Sequence, residues 1–142
     1  MRITDVLRGK GTEVATIAPS QTVRALIDAL AEHKVGALVV SHDGRSVVGI
    51  VSERDVVRHL QKAGAGLLDQ PVSSIMTSEV HTCAPDTKVD ALMVLMTERR
   101  IRHVPVLTDG QMTGIVSIGD IVKHRIGDLE VERDHLTAYI TG

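Results

Sequence analysis

The stretch GIVSERDVV at residues 49–57 returns as GIVSIGDIV at residues 114–122, with six of the nine positions identical. The two stretches lie 65 residues apart in a chain of 142 residues. Each keeps a β-branched run, then a serine, then an aspartate at the third position after the serine. A short chain that repeats such a pattern is predicted to contain two copies of one structural unit.

The similarity extends beyond these nine residues. Residues 16–59 align with residues 82–124, at an offset of 66 as far as an Asp-Gly pair and of 65 after it. Each copy opens on Thr-x-Ala-Pro and continues with apolar residues spaced i, i+3, i+4, i+7, which predicts a helix with one buried face. These apolar residues are Val23, Leu26, Ile27 and Leu30 in the first copy and Val89, Leu92, Met93 and Met96 in the second.

After this helix, two β-rich runs flank the Asp-Gly pair, which is typical of a β-hairpin because glycine tolerates the positive φ of a tight turn. A second helical pattern follows each Gly-Ile-Val-Ser. Each copy therefore reads β-α-β-β-α, and the predicted fold class is α/β (α+β), with two tandem repeats related by pseudo-twofold symmetry. Units of about 60 residues are marginally stable alone, so we expect the copies to pack together with related sites in the cleft between them.

The predicted division of the chain follows the breaker residues. Residues 1–63 form the first repeat with an N-terminal segment, and residues 79–142 form the second with an extended C-terminal helix. Residues 64–78 are predicted to be a linker, because Gly64, Gly66 and Pro71 interrupt the helical pattern there.

Composition argues against several classes of partner. A net charge of −2 provides no basic field for nucleic acid or an anionic membrane, and Tyr139 is the only aromatic residue available for stacking bases. No apolar run approaches the roughly 18 residues of a membrane span, and the charged N-terminus does not resemble a signal peptide. The single cysteine, Cys83, fits a reducing compartment. We expect a cytoplasmic protein without nucleic-acid or membrane partners.

Signals for catalysis are weak. The seven histidines are scattered and lack the spacing of a zinc site. The sequence contains no Gly-rich P-loop and suggests no nucleophile–base pair, and Cys83 lies in an apolar run that favours packing. We predict no catalytic activity and no metal.

The ordered motifs resemble the CBS domain, present twice, in the tandem arrangement known as a Bateman module. The resemblance runs from about Thr12 to about Arg125 and is strongest to short stand-alone bacterial proteins. It implies a regulatory or signal-transduction module that binds adenosine ligands such as AMP, ADP, ATP, S-adenosylmethionine or NAD between the repeats. It also implies a homodimer. We expect AMP first, with ATP or NAD as alternatives, and a regulated partner protein that the sequence does not identify.

A function of another class stays open at this point. The chain is then a structural or nucleic-acid-binding dimer whose nucleotide clefts are vestigial. Release of bound AMP, ATP or NAD from the purified protein discriminates between the two, because a vestigial cleft holds no nucleotide.

The two Ser-x-x-Asp pairs, Ser52 with Asp55 and Ser117 with Asp120, allow two interpretations. A serine at the start of a helix with an acid at N3 forms a capping box. A helix amino terminus beside a cleft also suits a phosphate, and a carboxylate there can accept the hydroxyl groups of a ribose. The CBS resemblance implies the second role, with each aspartate on a ribose and each serine near a phosphate.

Basic residues distinguish the two copies. Arg102 and His103 precede the Val-Pro-Val run, and the resemblance implies that they contact a phosphate. Gly36 and Ala37 replace them in the first copy. We therefore predict unequal sites, with AMP favouring the site of Asp120, to which we assign the basic pair. The candidate nucleotide-binding residues are Asp120, Ser117, Arg102, His103, Val104, Thr82, Asp55, Ser52, Ala37 and Thr16.

The last helical pattern predicts self-association. It continues past Gly127, with Ile126, Leu129, Leu136 and Ile140 on roughly one face. So long an apolar stripe is too large to be buried on so small a body, which predicts a homodimer. The exposed helix faces around residues 23–30 and 89–96 are further candidates for the contact.

Overall fold

The computed structural model describes residues 1–11 and 13–141. Thr12, where the CBS resemblance begins, and Gly142, where the second predicted unit ends, lie outside the described residues. The elements in chain order are α1 Ile3–Lys10, β1 Thr16–Ile17, α2 Val23–His33, β2 Ala37–Val40, β3 Gly49–Ser52, α3 Glu53–Ala63, α4 Val89–Arg99, β4 His103–Thr108, β5 Gln111–Ser117 and α5 Ile118–Thr141, with 3₁₀ turns at Gly64–Asp69 and Val72–Ser74.

The β-α-β-β-α order is confirmed in the first copy. β2 is the centre of a three-stranded sheet, parallel to β1 and antiparallel to β3. In the second copy β4 and β5 pair antiparallel, and the first strand is reduced to a parallel bridge between Cys83 and Val106. That bridge keeps two backbone hydrogen bonds, from Cys83 N–H to Pro105 and from Leu107 N–H to Cys83. Burial raises the pKa of the Cys83 thiol to about 11, so the thiol is protonated at neutral pH.

Both hairpins contain the predicted Asp-Gly pair, but their turns differ. Asp109 and Gly110 have φ values of 53° and 78° and form a two-residue turn, with Thr108 paired to Gln111. The first copy has one residue more after its Asp-Gly pair, and β2 and β3 are joined there by a wider loop. Asp43 holds that loop by accepting hydrogen bonds from backbone N–H groups within it.

Each copy packs against the segment that precedes the other copy. Helix α1, at the start of the chain, packs into the core of the second copy, and the 3₁₀ turns after α3 pack into the core of the first. The backbone contacts repeat as well, because Ile3 N–H donates to Thr87 and Val72 N–H donates to the equivalent Gln21. The predicted division at residues 63 and 79 therefore follows the order of the chain but not the packing, because each core includes a segment from outside its own repeat. We call α1 and residues 71–77 the exchanged segments.

A glycine lies where each exchanged segment approaches a hairpin. A Cβ atom on Gly49 would lie 2.7 Å from the Met76 sulfur and 2.9 Å from the Thr77 carbonyl oxygen. A Cβ atom on the equivalent Gly114 would lie 3.0 Å from a methyl group of Leu7. The glycine of each Gly-Ile-Val-Ser therefore provides room for the segment that crosses from the other copy.

Helix α5 has 24 residues and extends past Gly127, as the apolar pattern predicts. Ile126, Leu129, Leu136 and Ile140 are each more than half exposed. The buried faces of α2 and α4 lie in the two cores and cover the strands. Ile27 and Val94 are exposed on these helices, and a dimer contact through their exposed faces stays a prediction. Within residues 1–11 and 13–141, no helix combines the length and apolar character needed to cross a membrane.

Candidate functional site

The Ser-x-x-Asp pairs form the predicted capping boxes at the starts of α3 and α5. Ser52 N–H donates to Asp55 Oδ2 at 2.8 Å, and Asp55 N–H donates to Ser52 Oγ at 3.3 Å. Ser117 N–H donates to Asp120 Oδ2 at 2.8 Å, and Asp120 N–H donates to Ser117 Oγ at 3.1 Å. The two helix starts therefore have the same backbone arrangement, and capping explains part of why these residue types repeat.

One cavity of about 470 Å³ lies beside the start of α3, and we call it the Asp55 cleft. Ser52 and Asp55 line it from the first copy, and Arg102, His103 and Ser117 line it from the second. The volume falls in the range of small-molecule pockets. Its other polar and charged lining residues come from α3, from the exchanged segment and the residues that follow it, and from the end of α4: Glu53, Arg54, Arg58, Thr77, Glu79, His81 and Arg100.

The cavity lining groups the basic pair differently from the sequence prediction. We assigned Arg102 and His103 to the site of Asp120, but both line the cleft that contains Asp55. The physical reason is the pseudo-twofold packing, which sets the start of β4 in one copy opposite the start of α3 in the other. Arg102, His103 and Ser117 of the second copy therefore line the Asp55 cleft, whereas Asp120 is in the lining of neither cavity.

His103 lies between several charges in the ligand-free protein. Burial, followed by the nearby cations Lys10 and Arg102, lowers the pKa of His103, and Asp120 and Glu53 oppose that shift. The imidazole is therefore neutral at pH 7, and an anion in the cleft would favour its protonation.

A second cavity, also of about 470 Å³, lies at the pseudo-symmetric position, and we call it the Lys10 cleft. Among the described residues, its lining includes Lys10 but not Asp120. It shares Ala37 with the Asp55 cleft. The remaining lining residues come from the chain after α1, from the end of α2 and from two strands: Glu13, Val14, Ala15, His33, Val35, Leu38 and Ile115.

Lys10 contacts the carboxylate of Asp120. Its Nζ donates to Asp120 Oδ2 at 2.6 Å and to the Ile115 carbonyl oxygen at 2.8 Å. Burial alone would raise the pKa of Asp120, but the hydrogen bonds from the Lys10 ammonium and from Ser117 outweigh burial and hold this pKa below its usual value. Asp120 is therefore ionised and already paired with a cation. The carboxylate of Asp55 accepts hydrogen bonds from the backbone N–H and the hydroxyl group of Ser52, and among the described residues it has no cationic partner.

The structure distributes the ten candidate residues unevenly. Six of them line the Asp55 cleft: Ser52, Asp55, Ala37, Arg102, His103 and Ser117. Asp120 is in neither lining but is hydrogen-bonded to Lys10, which lines the second cleft. Val104 is fully buried in the second core. Thr16 and Thr82 each follow a lining residue, Ala15 and His81.

Sequence reasoning missed the residues before each Thr-x-Ala-Pro. Lys10 and Glu13 line one cleft, and Thr77 and Glu79 line the other. The repeat alignment began at the threonine because the preceding segments differ in length and charge. A detectable signal was present: Lys10 lies at the third position after Leu7 in α1, on a short amphipathic helix that needed a partner.

Comparison with known proteins identifies the fold. The family model of the CBS domain matches residues 4–62 and 72–127. A mitochondrial CBS domain-containing protein of Arabidopsis thaliana is 38% identical over 99% of this chain and 72% of the relative. A CBS-domain protein of Agrobacterium tumefaciens superposes with a TM-score of 0.85 at 42% identity, covering 88% of this chain and 99% of the other. A CBS domain protein of Pyrobaculum aerophilum, complexed with AMP, has a TM-score of 0.75 at 28% identity, covering 84% and 89%.

Proposed function

Since the chain belongs to the CBS-domain family, we propose that it is a non-catalytic regulatory module that binds an adenosine nucleotide in the Asp55 cleft. AMP is the first candidate ligand, and ATP and NAD are the alternatives. The AMP complex of the Pyrobaculum aerophilum relative supports an adenosine ligand.

The observation that carries this proposal is the composition of the Asp55 cleft. One cavity brings together a carboxylate at a helix start, Asp55, and two potential phosphate ligands from the opposite copy, Arg102 and His103. A carboxylate can accept both hydroxyl groups of a ribose. A guanidinium offers a fork of donors that matches phosphate oxygens, and a helix start adds free N–H groups. A ribose 5′-phosphate carries both features that this cavity matches.

Calorimetric titration of the purified protein with AMP tests the proposal. We expect saturable binding to the unsubstituted chain, and an affinity loss of about tenfold or more for Asp55→Asn, because the neutral amide removes a charge-assisted hydrogen bond. Asn at this position retains an acceptor for Ser52 N–H, so the helix cap is largely kept. Asp28→Asn, an exposed substitution on α2, is the matched control and should bind as the unsubstituted chain does.

Mass spectrometry of the supernatant after heat denaturation identifies any nucleotide that copurifies with the protein. AMP, ATP or NAD in that supernatant would name the ligand. Absence of binding by the unsubstituted chain to all three would contradict the proposal and favour the alternative, a structural or nucleic-acid-binding dimer.

We propose further that the protein is a homodimer. The exposed apolar stripe on α5, at Ile126, Leu129, Leu136 and Ile140, supports this assembly. Light scattering at tens of micromolar should give about twice the chain mass of 15.3 kDa, and Leu129→Ser with Leu136→Ser should return it to the chain mass. A monomer mass for the unsubstituted protein would contradict the assembly. Cytoplasmic location and a regulated partner protein stay predictions.

A further inference from the structure

The end of α1 and the chain just after residues 71–77 bring opposite charges to equivalent places. Leu7 packs on Gly114 and Met76 packs on Gly49, so these two residues are structural counterparts. The third residue after Leu7 is Lys10, and the third after Met76 is Glu79. Each lines the cleft on its own side of the molecule. The difference in charge therefore lies at matched positions of the pseudo-twofold arrangement.

Lys10 is a hydrogen-bonding partner of the Asp120 carboxylate. Asp120 Oδ2 accepts two hydrogen bonds, from Lys10 Nζ at 2.6 Å and from Ser117 N–H at 2.8 Å. The side chains of Lys10 and Asp120 are 32% and 24% exposed, so the pair is partly shielded from water. An ammonium has three donors, and Asp120 and the Ile115 carbonyl occupy two of them. Among the described residues the third donor has no hydrogen-bond acceptor, and Lys10 lines the cleft in which a ligand could accept it.

We propose that Lys10 makes the Lys10 cleft selective for nucleotides over nucleosides, because it covers the Asp120 carboxylate until an anionic group of the ligand draws the ammonium away. The inference rests on the proposed function, since it concerns the second of the two clefts. The ligand class is a ribonucleoside that bears at least one phosphate.

The selectivity follows from the competition for Asp120. Neutral ribose hydroxyl groups replace an ammonium poorly, because charge-assisted hydrogen bonds are roughly twice as strong as neutral ones. A phosphate offers Lys10 a new anionic partner and so frees Asp120 for the ribose. In the Asp55 cleft the described partners of the carboxylate belong to Ser52, so a ribose displaces no cation there.

The test measures AMP and adenosine binding by calorimetry in an Asp55→Ala background, which weakens the Asp55 cleft and leaves the Lys10 cleft unsubstituted. With Lys10 present, we expect AMP to bind and adenosine to bind at least tenfold more weakly. Adding Lys10→Met should strengthen adenosine binding and lower the AMP-to-adenosine affinity ratio by about tenfold or more. Lys10→Arg should keep the ratio, and Lys62→Met, an exposed change on α3, is the matched control.

A second readout does not depend on any nucleotide. Carbon NMR titration of the Asp120 carboxyl should show its pKa rising in Lys10→Met, because the covering cation is lost, and not in Lys62→Met. Together with a lower affinity ratio, that rise supports the inference. An Asp120 pKa that does not move would show that Lys10 does not cover the carboxylate, and would overturn it.

The binding outcomes separate this inference from the proposed function. AMP binding with an affinity ratio that Lys10→Met leaves unchanged would overturn the role of Lys10 and leave the proposed function standing. A further outcome is that AMP binds to the unsubstituted chain but to neither Asp55→Ala nor Asp55→Ala with Lys10→Met. That result would show that the Lys10 cleft takes no nucleotide, and it would overturn the inference about Lys10. Failure of the unsubstituted chain to bind any nucleotide would overturn both.

Discussion

The Asp55 cleft and the Lys10 cleft have the same volume, and the serine N–H to aspartate distance is 2.8 Å at both helix starts. Their charges differ. The Asp55 cleft is lined by Arg102 and His103. At the equivalent sequence positions the first copy has Gly36, which lines the Asp55 cleft, and Ala37, which lines both clefts. In the Lys10 cleft the lining lysine is hydrogen-bonded to the carboxylate of Asp120. The two copies thus have the same backbone geometry at their helix starts. The clefts are unequal because their side chains come from opposite copies and from the exchanged segments.

The largest expected effect is on the affinity for AMP, which we expect to depend more on Asp55 than on Asp120. We expect Asp55→Ala to lower AMP affinity by a few tens-fold to about a hundredfold, equivalent to about 2–3 kcal/mol, because the ribose loses an ionised acceptor. We expect a smaller loss for Asp120→Ala, since Lys10 already occupies that carboxylate. This order reverses the preference predicted from sequence. Calorimetry on the two variants measures it, and a greater loss in Asp120→Ala would restore the original assignment.

Folding stability provides a second comparison of the two halves. Gly49→Ala brings a methyl group against the Thr77 backbone oxygen, which cannot rotate away, and should cost about 1–3 kcal/mol of unfolding free energy. Gly114→Ala meets the flexible end of Leu7 and should cost less than about 1.5 kcal/mol.

Urea denaturation gives both values. Gly66→Ala, whose added methyl group would have no neighbour within 4 Å, serves as the control and should stay within about 0.5 kcal/mol of the unsubstituted protein. Equal losses at Gly49 and Gly114 would show that the two exchanged segments pack with the same tolerance.

The smallest expected effect is a pH dependence of AMP affinity through His103. Burial, Lys10 and Arg102 lower the pKa of His103 in the free protein, and a bound phosphate raises it. The contribution of His103 is therefore fully present below the free-protein pKa and is lost as pH rises through the pKa of the complex. We expect affinity to fall a few-fold between pH 6 and pH 8.

The His103→Gln variant isolates this contribution. The phosphate itself has a second pKa of about 6, so its own titration persists in the variant and can be subtracted. If the unsubstituted protein and His103→Gln show the same pH profile, His103 does not contact the phosphate.

Periodicity predicted the repeating elements of the fold correctly. Three of the four predicted apolar positions are buried in each helix: Val23, Leu26 and Leu30 in α2 and Val89, Leu92 and Met96 in α4. The fourth is exposed in α2 (Ile27) and partly buried in α4 (Met93), because each lies at the edge of the apolar face. The Asp-Gly pairs predicted both hairpins, and the capping boxes at Ser52 and Ser117 were readable as pairs three positions apart. These features are local, because each depends on residues within a few turns or strands of one another.

The sequence by itself determined the duplicated fold, the family and the residue types at the two helix starts, because those patterns are local and occur twice. Only the tertiary structure decided which residues share a cleft. Arg102 and His103 line the same cavity as Asp55 of the other copy, and Lys10 contacts Asp120 from 110 positions away. Pairings of this kind depend on how the copies and their exchanged segments pack, and no spacing within one copy encodes that arrangement.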